Sequence, residues 1–294
     1  MADRNELIQS LPCWTGPVGW EPLKGGLSNE SFLVDQDGRK FVVRLGRDYP
    51  FHHVFRDREV MVSRAACDAG FAPELVYSAP GIMVSRFIDG QTFDEAAVRE
   101  NIGRIAELVA RFHNEMPKHV SGPGFMFWVF HVIRDYARTL EEGGSRMADR
   151  LAGYLELADE LEAVQVPMPI VFGHHDLLPA NFIDDGSRLW LIDFEYAGFS
   201  TPMFDLAGAT SNAGFNDSQS EEFLTAYFGG PPDEAVRRSH AAMQCASLLR
   251  EAMWSMVSEI HLDAPGVDYV AYTQENLSRL EQALESYRTR YGRN

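Results

Sequence analysis

The sequence predicts an α+β fold of two lobes: an N-terminal lobe built on an antiparallel sheet, and a mainly helical C-terminal lobe. Short runs rich in β-branched and aromatic residues, separated by turn signals, fill the first 88 residues. Long stretches of helical periodicity dominate from residue 89 onwards. The chain has 294 residues, of which 45% are hydrophobic, so it can bury the core that two packed lobes need. We therefore expect one lobe over residues 1–88 and the other over residues 89–294.

The first lobe is predicted from turn residues placed between β-rich runs. Residues 20–46 indicate a strand, a Gly-rich turn, a second strand, an Asp37-Gly38 turn and a third strand. A helix is expected over residues 56–69, with Gly70 just past its end in the C′ position. Pro73 then begins the return to a strand pair that ends in GIMVSRFIDG, residues 81–90.

The second lobe begins with helices expected over residues 95–116, 129–142 and 149–163. Residues 166–198 interrupt this pattern with short strands and polar turns, including an Asp-Asp-Gly-Ser reversal at 184–187. Further helices are expected over residues 217–228, 234–261 and 270–291. The polar residues typical of a reaction site concentrate in the interruption.

Charge and composition restrict the possible partners. The formal net charge of −17 disfavours nucleic acid and anionic membranes as partners, and the sequence contains no basic cluster to offset it. The same charge favours a cationic small molecule, although a merely soluble surface explains it equally well. Oligomeric state is left open by the sequence.

The cysteines and the N-terminus indicate the cellular compartment in which we expect the protein. Cys13, Cys67 and Cys245 are widely spaced and odd in number, which fits neither a disulfide framework nor a zinc motif. The first ten residues lack the apolar core of a signal peptide, and no apolar run is long enough to span a bilayer. We expect a cytoplasmic protein.

Three polar residues of the 166–198 segment have the spacing of a phosphotransfer site. Asp176 and Asn181 are five residues apart, as in a kinase catalytic loop, where the Asp accepts the substrate hydroxyl proton and the Asn binds magnesium. Asp193 follows the apolar run at 189–192, so a hairpin turning at Asp185-Gly186 would bring it next to Asn181. Two hard oxygen donors at adjacent strand ends suit Mg²⁺.

The motifs GHHDLLPANFI (173–183) and LIDFEYAG (191–198) resemble those of the choline kinase and aminoglycoside phosphotransferase superfamily, which has the protein-kinase-like fold. The resemblance covers nearly the whole chain and is loose only in about the last hundred residues. Three further segments carry the resemblance. GGLSNESFLV is similar to the family's nucleotide loop, VVRLG to its phosphate-contacting strand and FRDREV to its first helix.

The resemblance implies a role for each matching residue of the catalytic segment. Asp176 would be the catalytic base, and Asn181 and Asp193 the magnesium ligands. His174 would support the catalytic loop from within, and Asp205 would brace that loop by hydrogen bonding, although Asp205 could equally be an ordinary residue of a helix N-terminus. A zinc site at the His pair 174–175 is disfavoured, because adjacent side chains of an extended segment point in opposite directions.

In the first lobe, the resemblance implies an ATP site. The candidates are the glycine-rich turn, the strand Arg and the helix Glu that would pair with it: Gly25, Gly26, Ser28, Asn29, Arg44 and Glu59. Arg44 stands where kinases carry a Lys, and the turn lacks the Gly-x-Gly-x-x-Gly pattern of protein kinases. Both departures favour a small-molecule kinase. Arg56 or Arg58 could compete for Glu59, and residues 83–90 are expected to form the hinge that meets adenine.

Candidates for acceptor binding lie late in the chain. Glu195 could bind a second Mg²⁺ or a cationic substrate, or be a buried hydrogen-bond acceptor. Trp254 and Glu251 lie on a helix that the resemblance places along the acceptor cleft, where an aromatic face and a carboxylate would attract a cation. Trp254 is open to a plain core interpretation as well. Tyr269 and Tyr272 are further candidates.

Taken together, the sequence predicts a kinase that transfers the γ-phosphoryl group of ATP, with Mg²⁺, to a hydroxyl of choline, ethanolamine or a related amino alcohol. Residues 1–88 would bind the nucleotide, and residues 89–294 would supply catalysis and the acceptor site. An aminoglycoside, thiamine or a sugar is the alternative acceptor, because a fold of this kind keeps its reaction residues while the pocket varies. A nucleotide-binding pseudokinase is a remote alternative, which the intact set of reaction residues opposes.

Overall fold

A computed structural model describes residues 4–23, 29–263 and 266–292. In the first lobe a short helix precedes a five-stranded antiparallel sheet with one helix packed beside it. The elements are α1 (Arg4–Gln9), β1 (Gly19–Leu23), β2 (Asn29–Gln36), β3 (Arg39–Gly46), α2 (Arg56–Asp68), β4 (Leu75–Ala79) and β5 (Ile82–Arg86). The strand order in the sheet is β1-β2-β3-β5-β4.

The sheet forms because its central strands alternate apolar and polar residues. Phe32 and Val34 on β2 and Phe41 and Val43 on β3 are buried on the same face. The turn between the two strands has positive φ at both central positions, 52° and 79°, which matches the right-handed twist of a hairpin. The predicted succession of strands, helix and strand pair is confirmed, and α2 ends at Asp68 just before Gly70, which has a φ of 80°.

The second lobe contains eight helices in the part of the chain that the structure describes. They are α3 (Glu95–Glu100), α4 (Ile102–Glu115), α5 (Val129–Glu142), α6 (Leu151–Glu162), α7 (Met203–Asn212), α8 (Asp217–Phe228), α9 (Glu234–His261) and α10 (Tyr269–Tyr291). The predicted helix over 95–116 is divided at Asn101, whose φ of −120° is not helical. Helices α1 and α7 are additional to the helices that the sequence predicts.

Short strands also lie in the helical lobe, most of them in the 166–198 segment that interrupts the helices. They are β6 (Gln91–Thr92), β7 (Val171–Gly173), β8 (Phe182–Asp184), β9 (Leu189–Leu191) and β10 (Gly198–Ser200). The predicted hairpin is the β8–β9 pair, in which Phe182 lies opposite Leu191. β6 adds to this hairpin, and β7 pairs with β10.

The core of the helical lobe is organised around α9, which has 28 residues. Its buried side packs with α5, α6, α7 and α10, and one continuous apolar cluster fills the space between them. A second cluster joins α4 to the inner face of α2 and to the β8–β9 hairpin. We call this hairpin the catalytic hairpin, because it connects the candidate residues Asn181 and Asp193. The hairpin is therefore held from both lobes, and the amide of Leu191 donates to the carbonyl of Phe71 at 2.9 Å.

The proposed division between residues 88 and 89 falls between two sheets. The last strand of the first sheet along the chain is β5, which ends at Arg86, and the next strand, β6, belongs to a sheet of the helical lobe. The cysteines at positions 13, 67 and 245 are all free. Among the described helices, none has the length and apolar character that crossing a bilayer requires.

Candidate active site

The catalytic segment converges on three side chains. A 3-10 turn at Pro179–Asn181 leads into β8, and β9 returns to place Asp193 beside it. The Asn181 side-chain amide donates to the backbone carbonyl of Asp176 at 2.8 Å and to its carboxylate Oδ2 at 3.3 Å. The amide of Ile192 donates to the carbonyl of Asn181 at 3.1 Å. The hairpin predicted to unite Asn181 and Asp193 is therefore present, and it places Asp176 beside them.

Asp193 is held in an unusual backbone conformation, with a φ of 68° in the left-handed region. Its Oδ1 accepts from Arg44 Nη2 at 2.9 Å. Its Oδ2 has no hydrogen bond from any described residue, so this oxygen remains available to a ligand.

Arg44 joins the two lobes through carboxylates. Its Nη1 lies 2.8 Å from Glu59 Oε1, so the predicted Arg44–Glu59 ion pair is confirmed. Arg56, expected as a competitor, shares Glu59 at 2.5 Å and also reaches Glu195 Oε2 at 3.0 Å. Although burial lowers the pKa of Arg44, the carboxylates of Asp193 and Glu59 raise it by more, and the guanidinium stays charged.

Glu195 is buried behind this network and only 6% exposed. Burial, and then the charge of Asp193, raise the pKa of Glu195 to about 7, while Arg56 opposes the rise. Its contact with Arg56 matches the alternative in which Glu195 is a buried hydrogen-bond acceptor. Its role toward an acceptor or a metal stays a prediction.

Asp205, on the first turn of α7, braces the catalytic loop. Its Oδ2 accepts from the amide of His174 and its Oδ1 from the amide of His175, both at 2.7 Å. His113 adds a third bond, with Nε2 at 2.8 Å from Asp205 Oδ2. Burial alone would raise the pKa of Asp205, but the hydrogen bond from His113 and the nearby imidazoles hold it below its usual range. These contacts fit the bracing role that the resemblance implied.

The two adjacent histidines point to different partners. His174 is fully buried, with Nε2 at 3.0 Å from the Ile192 carbonyl and Nδ1 accepting from the amide of Asp176 at 3.3 Å. His175 turns to the Tyr196 carbonyl and stacks on Phe127 with ring centroids 4.4 Å apart. Within the described ranges, no group of three or more His, Cys, Asp or Glu is placed to hold a metal ion.

Sequence reasoning missed His113 and Arg250. His113 lies on the buried face of α4, between Asp205 and the hydroxyl of Tyr227 at 2.7 Å. Arg250 is 4% exposed on the apolar face of α9. In both cases the available signal was a polar residue at a buried position of an amphipathic helix, which requires a polar partner elsewhere in the fold.

Two cavities meet at the catalytic hairpin. One of about 360 Å³ lies between the sheet and the hairpin, and its walls include Val42, Met83 and Phe87, the last two within the predicted hinge. The other, of about 300 Å³, lies within the helical lobe. Asn181 and Asp193 line both cavities, whereas Asp176 lines only the second. A group passing from the first cavity to the second would cross these side chains.

The predicted acceptor residues surround the second cavity. Glu251, Trp254 and Tyr272 line it, as does Glu195. Trp254 is 6% exposed and donates from Nε1 to the Tyr196 hydroxyl at 2.9 Å, so it belongs both to the core and to the cavity wall. Tyr269, the remaining candidate on α10, packs edge-on against the Trp254 ring, with ring centroids 6.2 Å apart.

The predicted nucleotide turn is described only at Asn29, which lines the first cavity. Gly25, Gly26 and Ser28 lie outside the described residues, and their role stays a prediction.

Comparison with known proteins decides the family. The model of the choline/ethanolamine kinase family matches residues 20–281. The chain belongs to the choline/ethanolamine kinase family. A crystal structure of a choline/ethanolamine kinase family protein from Mesorhizobium loti superposes on this kinase with a TM-score of 0.75 and 29% identity, over 96% of this chain and 94% of that one.

Two further relatives match with lower identity and over a smaller share of their own length. A probable ethanolamine kinase of Arabidopsis thaliana is 27% identical over 86% of this kinase and 78% of its own length. Protein LicA of Haemophilus influenzae is 26% identical over 69% of this kinase, and the match spans 61% of LicA. The predicted resemblance, the two-lobed kinase fold and the class of enzyme, an ATP-dependent phosphotransferase with an alcohol group as acceptor, are thus confirmed.

Proposed function

We propose that this kinase transfers the γ-phosphoryl group of ATP to the hydroxyl of choline, ethanolamine or a related amino alcohol, with Asp176 as the base. The observation that carries the proposal is the position of Asp176, Asn181 and Asp193 where the two cavities meet. ATP in the cavity between the lobes would direct its γ-phosphate at Asn181 and Asp193. The acceptor in the other cavity would present its hydroxyl to Asp176.

In the proposed reaction, Asp176 accepts the proton of the acceptor hydroxyl as that oxygen forms its bond to the γ-phosphorus. The bond from phosphorus to the bridging oxygen of ADP breaks, and the electron pair leaves with ADP. Burial, followed by the charges of Asp193 and Glu195, raises the pKa of Asp176, which makes its carboxylate a stronger base. The hydrogen bond from Asn181 to Oδ2 orients that carboxylate.

The residues present fit a magnesium site. Because the Asn181 nitrogen is used by Asp176, the amide oxygen is free of described partners, and Asp193 keeps Oδ2 free. Two oxygens from the protein suit a cation that takes its other ligands from phosphates and water. Bound Mg²⁺ would neutralise the charge that develops on the phosphate oxygens.

Arg44 supports the proposal from the nucleotide side. It lines the cavity between the lobes and is held there by Glu59 and Asp193. A guanidinium has five N–H donors, so one fixed in this way can still donate to phosphate oxygens without reorganising first. We propose that Arg44 replaces the Lys of protein kinases.

The proposal is tested by measuring ADP release with Mg²⁺ and ATP across choline, ethanolamine, thiamine and kanamycin. Asp176→Asn is the blank, and the exposed Asp149→Asn is the matched control for the same chemical change. We expect turnover with an amino alcohol that falls by about 10²-fold or more in Asp176→Asn and is unchanged in Asp149→Asn.

Turnover confined to thiamine or kanamycin would keep the mechanism and replace the acceptor class. If no acceptor yields product and ATP still raises the melting temperature, the pseudokinase alternative is favoured.

A further inference from the structure

The acceptor cavity contains more positive charge than a site for a simple cation requires. Two guanidinium groups line it, Arg250 on α9 and Arg279 on α10. They lie in the same cavity as Asp176, which would receive the acceptor hydroxyl. Arg279 has no counterion among the described residues, and this indicates what else the acceptor carries.

Arg250 is almost completely buried yet only partly satisfied. Its Nη1 donates to Glu251 Oε2 at 2.9 Å, and its guanidinium lies 4.5 Å from the centre of the Tyr196 ring. Its Nε and Nη2 have no hydrogen-bond partner in the described part of the chain. Its charge is paired with Glu251, and the two unbonded nitrogens are shielded inside the protein, so Arg250 holds Glu251 in place and adds no free charge to the cavity.

Arg279 is half-buried and lines the same cavity. Within the described residues its one hydrogen bond is from Nη2 to the carbonyl of Ser211 at 3.3 Å. No carboxylate of the described ranges forms an ion pair with it. Its charge therefore faces the cavity without a counterion from the chain.

The groups that would bind a cation are already partly engaged. Glu251 gives one oxygen to Arg250 and accepts from the Tyr272 hydroxyl with the other, at 2.8 Å. One face of Trp254 is covered by His52, with ring centroids 4.7 Å apart. The cavity is also lined by the carboxylates of Asp176, Asp193, Glu195, Asp205 and Glu251, which can attract the positive part of an acceptor. A purely cationic acceptor would leave Arg279 without a counterion.

We propose that the acceptor is a hydroxy amino acid, which carries a carboxylate in addition to the hydroxyl and amino groups. Arg279 would bind the carboxylate, Glu251 and Tyr272 would face the ammonium group, and the hydroxyl would reach Asp176. This inference rests on the proposed function and leaves its reaction unchanged: ATP and the hydroxyl give ADP and a phosphate ester, and the proton passes to Asp176.

Matched acceptors that differ by one carboxylate test the inference. Ethanolamine is paired with serine, and 3-aminopropanol with homoserine, and kcat/KM is measured for each by ADP release and by mass of the product. We expect the acid of at least one pair to be preferred by about tenfold or more, because a charge-assisted bond to Arg279 is gained.

Variants of Arg279 assign the preference to this side chain. Arg279→Gln should reduce kcat/KM for the preferred acid by about tenfold or more and change that for its amino alcohol by less than about threefold. Arg279→Lys, which keeps the charge, should retain part of the preference. Arg290→Gln removes a guanidinium from the same helix outside the cavity and is the matched control.

The outcomes separate this inference from the proposed function. Phosphorylation of the amino alcohols with equal or weaker use of the acids overturns the inference and keeps the proposed function. An equal loss for both members of a pair in Arg279→Gln also overturns it. Absence of product from every acceptor, acids and amino alcohols alike, overturns both.

Discussion

At the scale of single residues, the catalytic loop depends on one buried carboxylate with three donors. Asp205 receives the amides of His174 and His175 and the imidazole of His113, all within 2.8 Å. A negative charge can accept all three bonds, and they in turn compensate its burial. The loop conformation includes a φ of 63° at His175, which the surroundings must enforce.

We predict that Asp205→Asn destabilises the protein by about 3 kcal/mol, because an amide has one acceptor oxygen and turns an NH₂ group toward an N–H donor. Urea unfolding of the two proteins measures the difference. The folded fraction should also show a lower kcat, since the loop that holds Asp176 loses its brace.

Asp233→Asn is the matched control for this prediction. Asp233 caps α9 by accepting from the amide of Val236 at 2.8 Å, and Asn is an equally good capping residue. This variant should unfold within about 0.5 kcal/mol of wild type. Equal stability of the two variants would show that Asp205 does not brace the loop.

At the residue scale, part of the site was predictable from the sequence. The spacing of Asp176 and Asn181 and the apolar run before Asp193 were sufficient to predict that these three side chains lie together. Buried partners such as Arg250 were not predictable, because no local pattern shows which distant side chain a buried charge meets. The brace at Asp205 was anticipated only through the family resemblance.

At the scale of elements, the β7 strand meets the catalytic loop with no room for a side chain. A Cβ added at Gly173 would lie 2.3 Å from His175 Nε2 and 2.9 Å from Asp205 Oδ2. The strand therefore requires glycine at its end, since the loop folds back over it.

We predict that Gly173→Ala displaces the His175 ring and the Asp205 carboxylate, lowers stability by about 1–3 kcal/mol and lowers kcat by more than about tenfold. Gly153→Ala is the control, because Gly153 lies in α6 with open space around its Cα. That change should stabilise by about 0.5–1 kcal/mol, as alanine favours helix. Retention of full activity in Gly173→Ala would contradict the prediction.

The elements differ in how well the sequence predicts them. The β8–β9 hairpin and helices α5, α8 and α9 follow from clear periodicity and turn residues, and the structure has them at the predicted positions. Helix α7 was missed because nearly all of it is buried, so it lacks the polar face that periodicity detects. The break at Asn101 was missed because both sides of it continue one helical pattern.

At the scale of the whole molecule, the two lobes meet through ion pairs at the candidate active site. Arg44 on the sheet contacts Asp193 on the helical lobe, and Arg56 on α2 contacts Glu195. The sequence predicted the lobes and their order, but not that Asn181 and Asp193 form the wall between two cavities. That arrangement depends on how the lobes pack, which local patterns do not encode.

The stability of the whole fold should depend on pH through its buried neutral histidines. His240 is 4% exposed, and its Nε2 lies 3.1 Å from the Thr210 hydroxyl. Burial lowers the pKa of His240 from 6.5 to about 4. Above pH 6.5 the imidazole is neutral in both states and has no effect on the pH dependence. Below that value the unfolded chain binds a proton that the folded protein excludes, so the free energy of unfolding falls as pH falls.

We predict that His240→Gln, which keeps a hydrogen-bonding group but cannot take up a proton, removes this part of the loss. Between pH 6.5 and about 4, the free energy of unfolding of wild type should decrease relative to that of the variant, with a slope that reaches about 1.4 kcal/mol per pH unit in the middle of the range. Urea unfolding at pH 7.5, 6.5, 5.5 and 4.5 measures the difference, and groups that titrate in both proteins cancel. The same change at the exposed His119 controls for the substitution itself. A difference between wild type and His240→Gln that stays constant over this range would mean that the folded protein admits the proton, and that the helical core around Thr210 opens to water well before it unfolds.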